Sequence, residues 1–246
     1  LHAADTSCGQ LRTVHRLIHA VLMVYKAVDM VKSQFDNVSL DYIFGLPQQT
    51  VDTVSRDVSE LLKMGVQHLS IYALSVEENS ILEKQIEKGI VALPDEEVVL
   101  EQYDVITKKL REKGWRHYEI SNYACDDEHL AVHNSSYWVK VPYLGIGPAA
   151  SSFDGERKRW TNCEDVKKYI EGENDVEYDD LEEEDLINER IMLGLRTDRG
   201  VSISEFDVDT QRKIKENRYL VLEGGVYKIP EKSWMVYNRI VSSLFV

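Results

Sequence analysis

Val38-Ser39-Leu40-Asp41-Tyr42-Ile43-Phe44-Gly45-Leu46-Pro47 is the stretch on which the fold turns. Its β-branched and aromatic run ends in Gly-Leu-Pro, the punctuation of a strand that closes in a turn. Thr50 or Asp52 then caps a helix that runs to about Met64 and stops at Gly65. His68-Leu69-Ser70-Ile71-Tyr72-Ala73-Leu74 reads as the next strand. One helix between two strands makes a β-α-β unit, and its strands run parallel with a right-handed connection. Pro94 and Gly114 bracket a further helix from Asp95 or Glu96 to Lys113. A third strand follows over Arg116 to Ser121, inside a strand-like segment from Trp115 to Tyr123. The alternation predicts an α/β fold, an open sheet or part of a (β/α) barrel. In such a half barrel the strand at Val38 to Phe44 is an exposed edge.

Working outward, residues 1–10 show little pattern. Leu17, Val21, Val24, Val28 and Val31 recur at helical steps between Leu11 and Lys32. After Phe153 the character changes. Leu181 to Leu195 is helical, Val201 to Lys215 holds two short helices, and Leu220 to Ile229 is a hairpin around Gly224-Gly225. Trp234 to Phe245 reads as a last helix. The pattern predicts a short N-terminal segment (1–24), a barrel portion (25–160) and a small winged-helix-like α+β domain (161–246).

The chain has 246 residues and a formal charge of -14. That charge repels a phosphate backbone, so nucleic-acid binding is not expected. The basic runs Arg157-Lys158-Arg159 and Lys108 to Arg116 are too short to reverse it. The acid concentrated between Glu164 and Glu189 reads as a polar connection and a helix start. No apolar run reaches the ~18 residues of a membrane span. Leu1 to Gln10 lack the basic-then-apolar order of a secretory signal. Cys8, Cys125 and Cys163 are odd in number and widely spaced, which fits a reducing cytoplasmic setting rather than a disulfide framework.

Several groups can carry chemistry. His133-Asn134-Ser135-Ser136-Tyr137-Trp138 brings an imidazole, an amide, a phenol and an indole together. Imidazole ligates iron and flat rings stack on flat ligands, although a Tyr-Trp pair also serves as core packing. Asp41 lies near the C-terminal end of a parallel strand, where such sheets hold ligands and where a carboxylate accepts from ribose hydroxyls. Its other role is a loop cap or a solvent-facing edge. Cys125, His129 and His133 have zinc-ligand types but one ligand too few for a structural site. Glu119 either lines a polar cleft or pairs within the sheet. Gly145-Ile146-Gly147 lacks a third glycine and reads as a tight turn, not a dinucleotide cradle.

Four segments occur in order: Asp41 to Thr50, Tyr118-Glu119-Ile120-Ser121-Asn122-Tyr123-Ala124, His133 to Trp138, and Tyr143 to Phe153. Together they resemble the oxygen-independent coproporphyrinogen III oxidase-like family of radical S-adenosylmethionine proteins. The H-N-x-x-Y-W motif points to the HemW branch, the haem chaperones, and Met192-Leu193-Gly194-Leu195-Arg196 is similar to the family's C-terminal domain. The resemblance runs from about Tyr25 to the C-terminus. It implies a partial, open (β/α) barrel followed by a winged-helix-like domain. It assigns Asp41 to the ribose of S-adenosylmethionine, and His133, Asn134, Tyr137 and Trp138 to haem. It also implies haem or porphyrin as ligand and haem proteins as recipients. A chain of charge -14 repels the two haem propionates without a local cation, which makes Arg157, Lys158 or Arg159 the candidate partners for them. The family's C-x-x-x-C-x-x-C loop and G-G-G-T-P strand, which precede the aspartate, have no counterpart here. Three cysteines at one site hold a 4Fe–4S cluster, and this spacing does not supply them. The chain is therefore expected to be the C-terminal portion of a longer protein, unable by itself to cleave S-adenosylmethionine. Two other functions remain open: the oxidase, which decarboxylates coproporphyrinogen III, and an interaction module without a cofactor.

Overall fold

The computed structural model describes residues 22–173 and 175–246. The expectation for residues 1–24, Cys8 included, falls almost wholly outside the described residues. Two compact units emerge: residues up to 116 together with 121–129, and residues 117–120 together with 130–246. The H-N-x-x-Y-W motif thus shares a unit with the chain beyond residue 161.

In the first unit, residues 22–32 are helical (α1). Strand β1 (Ser39–Phe44), helix α2 (Val51–Lys63) and strand β2 (His68–Ala73) form the expected β-α-β unit, and β1 and β2 pair in parallel with Asp41 opposite Ser70. Thr50 caps α2 in a reciprocal box, its hydroxyl accepting from the Thr53 amide at 3.2 Å while Thr53 Oγ1 accepts from the Thr50 amide at 2.8 Å. Thr50→Ala is expected to lower stability by ~1 kcal/mol in urea titrations, and an unchanged midpoint would show that Thr53 alone suffices. Helix α3 (Ile81–Glu87) and helix α4 (Glu96–Glu112) follow, α4 starting at Asp95 as the sequence indicates.

Alternation along the strands sorts the sheet into two faces. Leu40, Tyr42 and Phe44 share one with Leu69 and Ile71. There Phe44 stacks on Tyr103 of α4 with ring centroids 6.5 Å apart, and Tyr42 donates to Asp57 of α2 at 2.8 Å. Val54, Val58, Ile106 and Leu110 complete this core with no exposed surface. The opposite face carries Ser39, Asp41, His68 and Ser70.

The third strand differs from expectation. The segment at Arg116 to Ser121 is not one strand. It is β3 (Arg116–Glu119), a turn at Ile120-Ser121, and β4 (Asn122–Ala124). β4 pairs with β2 antiparallel, Ser70 opposite Asn122, where simple alternation predicts a parallel neighbour. A turn so short reverses the chain without a crossover helix, and its polar Ser-Asn step suits a bend.

The second unit contains helix α5 (Val132–Trp138), strands β5 (Ser151–Phe153), β6 (Lys158–Thr161) and β7 (Glu177–Asp180) in one antiparallel sheet, and helix α6 (Val166–Glu171). The acidic stretch from Glu164 to Glu189 is therefore not only a connection. All four residues of β7 are exposed, so no hydrophobic alternation marks it. Opposite charges set the pairing instead, Lys158 against Asp180 and Arg159 against Asp179. Helix α7 (Glu183–Leu195), a 3₁₀ turn (Ile203–Glu205), helix α8 (Val208–Glu216) and the hairpin β8 (Val221–Glu223) and β9 (Val226–Lys228) match the reading. The last helix is shorter than expected: Glu231–Val236 is 3₁₀, and only α9 (Tyr237–Ser242) is α-helical.

Candidate functional site

The H-N-x-x-Y-W residues lie on a helix. On α5 their spacing splits them into two neighbouring stripes, His133 with Tyr137 and Asn134 with Trp138. His133 is exposed, and its Nε2 is 3.2 Å from the Tyr137 hydroxyl. The two rings meet edge-on at 5.0 Å. Tyr137 meets Tyr143 the same way at 5.0 Å, and Tyr143 leans on Phe153 at 6.1 Å. Phe153 is buried, with Lys140 Nζ 5.3 Å and the Arg159 guanidinium 5.2 Å from its centroid. Both cations pair with the Glu189 carboxylate, Lys140 at 3.1 Å. An exposed imidazole is thus rooted through three rings in edge-on and tilted contact in an ion cluster around the buried Glu189. In the same stretch of chain, Val132, Leu144 and Ile146 are 79%, 70% and 83% exposed, apolar side chains that water alone disfavours.

The following turn is held tightly. A Cβ on Gly145 would sit 2.2 Å from the Ser151 carbonyl oxygen, so only glycine fits. The Gly145 amide donates to Ser152 Oγ at 2.9 Å and the Gly147 amide to the Tyr169 hydroxyl at 3.0 Å. With both glycine amides engaged, neither is left for a phosphate, in line with the tight-turn reading.

Trp138 faces a different environment. The Arg196 guanidinium lies 4.7 Å over its ring and 5.9 Å from the Tyr237 ring. Arg196 Nε is also 3.4 Å from the carboxylate of Glu119, which is wholly buried. Glu119 thus pairs with the arginine that ends α7, not with a partner within the sheet. The Tyr237 hydroxyl donates to the Met192 carbonyl at 2.5 Å, and burial pushes the phenol up to about 12 against the opposing pull of Arg196. Met192-Leu193-Gly194-Leu195-Arg196 is the end of α7. Gly194 is required because its Cβ would meet Val201 Cγ1 at 2.4 Å. The importance of Arg196 was missed from sequence. An arginine closing an apolar run was the available signal, since a charge so placed needs partners.

Asp41 is exposed on the polar face of the β1–β2 sheet. Beside it, His68 is buried with Nδ1 2.7 Å from Ser39 Oγ. Burial depresses the His68 pKa, and the Asp41 carboxylate opposes this. The folded chain then binds fewer protons at His68 than the unfolded chain just below the usual ~6.5. Stability therefore falls as pH drops through ~6.5 and levels off below the depressed value. His68→Gln should flatten the decline in melting temperature between pH ~7.5 and ~5; an identical decline in both chains would remove His68 as its source.

Asp41 belongs to the first unit and the H-N-x-x-Y-W residues to the second. The Cys125, His129 and His133 set is likewise divided, with His133 in the second unit. Its third group is instead Asp126: among the described residues Cys125, Asp126 and His129 hold ligand atoms within 4.8 Å of one another. His129 Nδ1 lies 2.6 Å from Asp126 Oδ1, and burial with the Asp126 carboxylate holds the Cys125 thiol above its usual range. Cys125 and Cys163 belong to different units. Two cysteines among the described residues are one fewer than a 4Fe–4S cluster needs. The proposed propionate partners are also occupied, Arg157 with Glu183 at 2.6 Å and Arg159 with Glu189, while Lys158 sits on β6.

Comparison with known proteins places the chain among its relatives. Residues 181–231 match the HemN C-terminal domain family. Heme chaperone HemW of Lactococcus lactis is 31% identical over 193 residues, 77% of this chain and 50% of that protein. Heme chaperone HemW of Bacillus subtilis is 36% identical over 177 residues, 70% of this chain and 46% of that protein. This chain is a HemW-like member of the radical S-adenosylmethionine family. The HemW-like chain is also 33% identical over 177 residues to the mitochondrial radical S-adenosyl methionine domain-containing protein 1 of Bos taurus. The solved structure of Escherichia coli coproporphyrinogen III oxidase HemN, described as a radical SAM enzyme, shares its fold with a TM-score of 0.70. That likeness covers 91% of this chain and 58% of that one at 16% identity. The HemW-like chain spans about half the length of the curated HemW relatives it matches, 50% and 46% for the two above. No described helix is long and apolar enough to cross a membrane.

Proposed function

We propose that the second unit binds haem as cargo through His133 and hands it to haem-recipient proteins. The observation that carries this reading is the exposed imidazole, braced by Tyr137, with exposed apolar side chains at Val132, Leu144 and Ile146 in the same stretch of chain. The imidazole supplies a donor nitrogen for iron, and the apolar side chains supply contact for the macrocycle. Exposure of both suits a carrier that must release its cargo. Tyr137 holds the ring by a hydrogen bond, and Tyr143 and Phe153 fix Tyr137 in turn, so His133 is presented rather than free to rotate. Trp138 stacks on Arg196 and acts at the neighbouring stripe. Asn134 borders it on that same stripe.

In the first unit, Asp41 is assigned to the ribose hydroxyls of S-adenosylmethionine, its carboxylate standing exposed on a polar sheet face with Ser70 opposite. No cluster chemistry is assigned to the cysteines of this chain. The free thiols of Cys125 and Cys163 support a reducing, cytoplasmic setting. The test is a haemin titration followed at the Soret band. One equivalent should shift the band and saturate the chain; an unshifted band at stoichiometric protein removes the reading.

A further inference from the structure

A cavity of about 260 Å³ lies within the second unit, bounded by Trp138, Lys140, Arg190, Arg199, Val201 and Glu205. We infer that this cavity is a carboxylate-binding site that takes a propionate arm of the tetrapyrrole, an inference that rests on the haem reading above. The volume falls below the ~300–1,000 Å³ of pockets that enclose whole small molecules, so it suits a side arm and not a macrocycle.

Charge selects the ligand class. In a chain of formal charge -14, three cationic side chains meet here against one carboxylate, that of Glu205. Lys140 shares Glu189 with Arg159, so two cations compete for one counter-charge. The Arg190 guanidinium donates to the Glu205 backbone carbonyl at 2.9 Å, which leaves its charge uncompensated. Among the described residues no carboxylate pairs with Arg190 or Arg199. The Trp138 ring forms part of the wall, so an apolar surface lies beside the cations.

Position links the cavity to the imidazole. His133 and Trp138 sit on one helix, five residues apart, ~8 Å along its axis and ~140° around it, so a propionate arm of a tetrapyrrole held at His133 passes the flank of α5 to enter the cavity. Arg157, Lys158 and Arg159 were the sequence-based candidates for this role, and two of them are paired elsewhere.

The test uses metal-free mesoporphyrin IX and its dimethyl ester, which differ only in the two carboxylates. Binding is followed by porphyrin fluorescence on the full chain and on Arg199→Gln. Arg199 is exposed and its replacement leaves the core intact. The free acid should bind the parent chain more tightly than the ester. Arg199→Gln should weaken the free acid roughly tenfold or more, the scale of one charge-assisted hydrogen bond, and leave the ester unchanged. Arg190→Gln combined with it should weaken the free acid further. Equal affinities for acid and ester, or an unaltered free-acid affinity in Arg199→Gln, would overturn the inference. A haemin titration run in parallel separates the two readings. An Arg199-dependent free acid with no Soret shift sinks the iron ligand and keeps the cavity. A normal Soret shift with acid and ester alike sinks the cavity and keeps the ligand. Absence of any porphyrin binding sinks both.

Discussion

His133→Ala should abolish the Soret shift that haemin undergoes on the parent chain. The substitution removes the donor nitrogen itself, so the spectral change is lost rather than diminished. Little else should change. His133 is exposed, and its hydrogen bond to Tyr137 lies at the surface, so stability should stay within ~0.5 kcal/mol of the parent. That separation makes the result interpretable, because a loss of binding cannot then be ascribed to unfolding. Tyr137→Phe gives a second measure. It keeps the stacked ring between His133 and Tyr143 while deleting the hydroxyl, so the Soret shift should survive. A Soret shift of parental size in His133→Ala would place the iron ligand elsewhere and return the motif to a packing role.

Arg196→Ala should be the most damaging of the substitutions considered, costing ~3–5 kcal/mol in denaturant unfolding of the second unit. Glu119 has no exposed surface and stands 3.4 Å from the Arg196 guanidinium. Removing the cation leaves that carboxylate buried without this counter-charge, the costly way to break an ion pair. It also strips the cation–π contacts to Trp138 and Tyr237. Arg196→Lys should recover only part of the loss, since an ammonium cannot stack flat on the indole. Glu119→Gln combined with Arg196→Met should be milder than Arg196→Ala, because neither charge is then left alone. A free-energy loss below ~1 kcal/mol for Arg196→Ala would mean that other groups hold Glu119.

The β-α-β unit was readable because each part is set locally. Alternation in Ser39 to Phe44 marks the strand, Thr50 and Thr53 mark the cap, and one intervening helix dictates parallel pairing. The same holds for the Gly224-Gly225 hairpin and for the caps of α4. The β5–β6–β7 sheet was not readable. Its members are short, and β7 is exposed throughout, so its pairing follows cross-strand charge and not burial. The turn at Ile120-Ser121 was lost inside a strand-like run, where the polar Ser121-Asn122 step was the one mark of the reversal.

By itself the sequence determined the family motifs, the parallel strand pair with Asp41 on it, the tight glycine turn after Tyr143, and the His133 candidate. Each of these is a matter of residue type and near-neighbour spacing. Only the tertiary structure decided that H-N-x-x-Y-W is helical and divides into two stripes, that Glu119 is a buried partner of Arg196, and that Lys140, Arg190 and Arg199 share a cavity with Trp138. Those cations come from three separate segments. An ion pair or a pocket wall between distant segments is set by packing, which brings together groups whose separation along the chain carries no periodic trace.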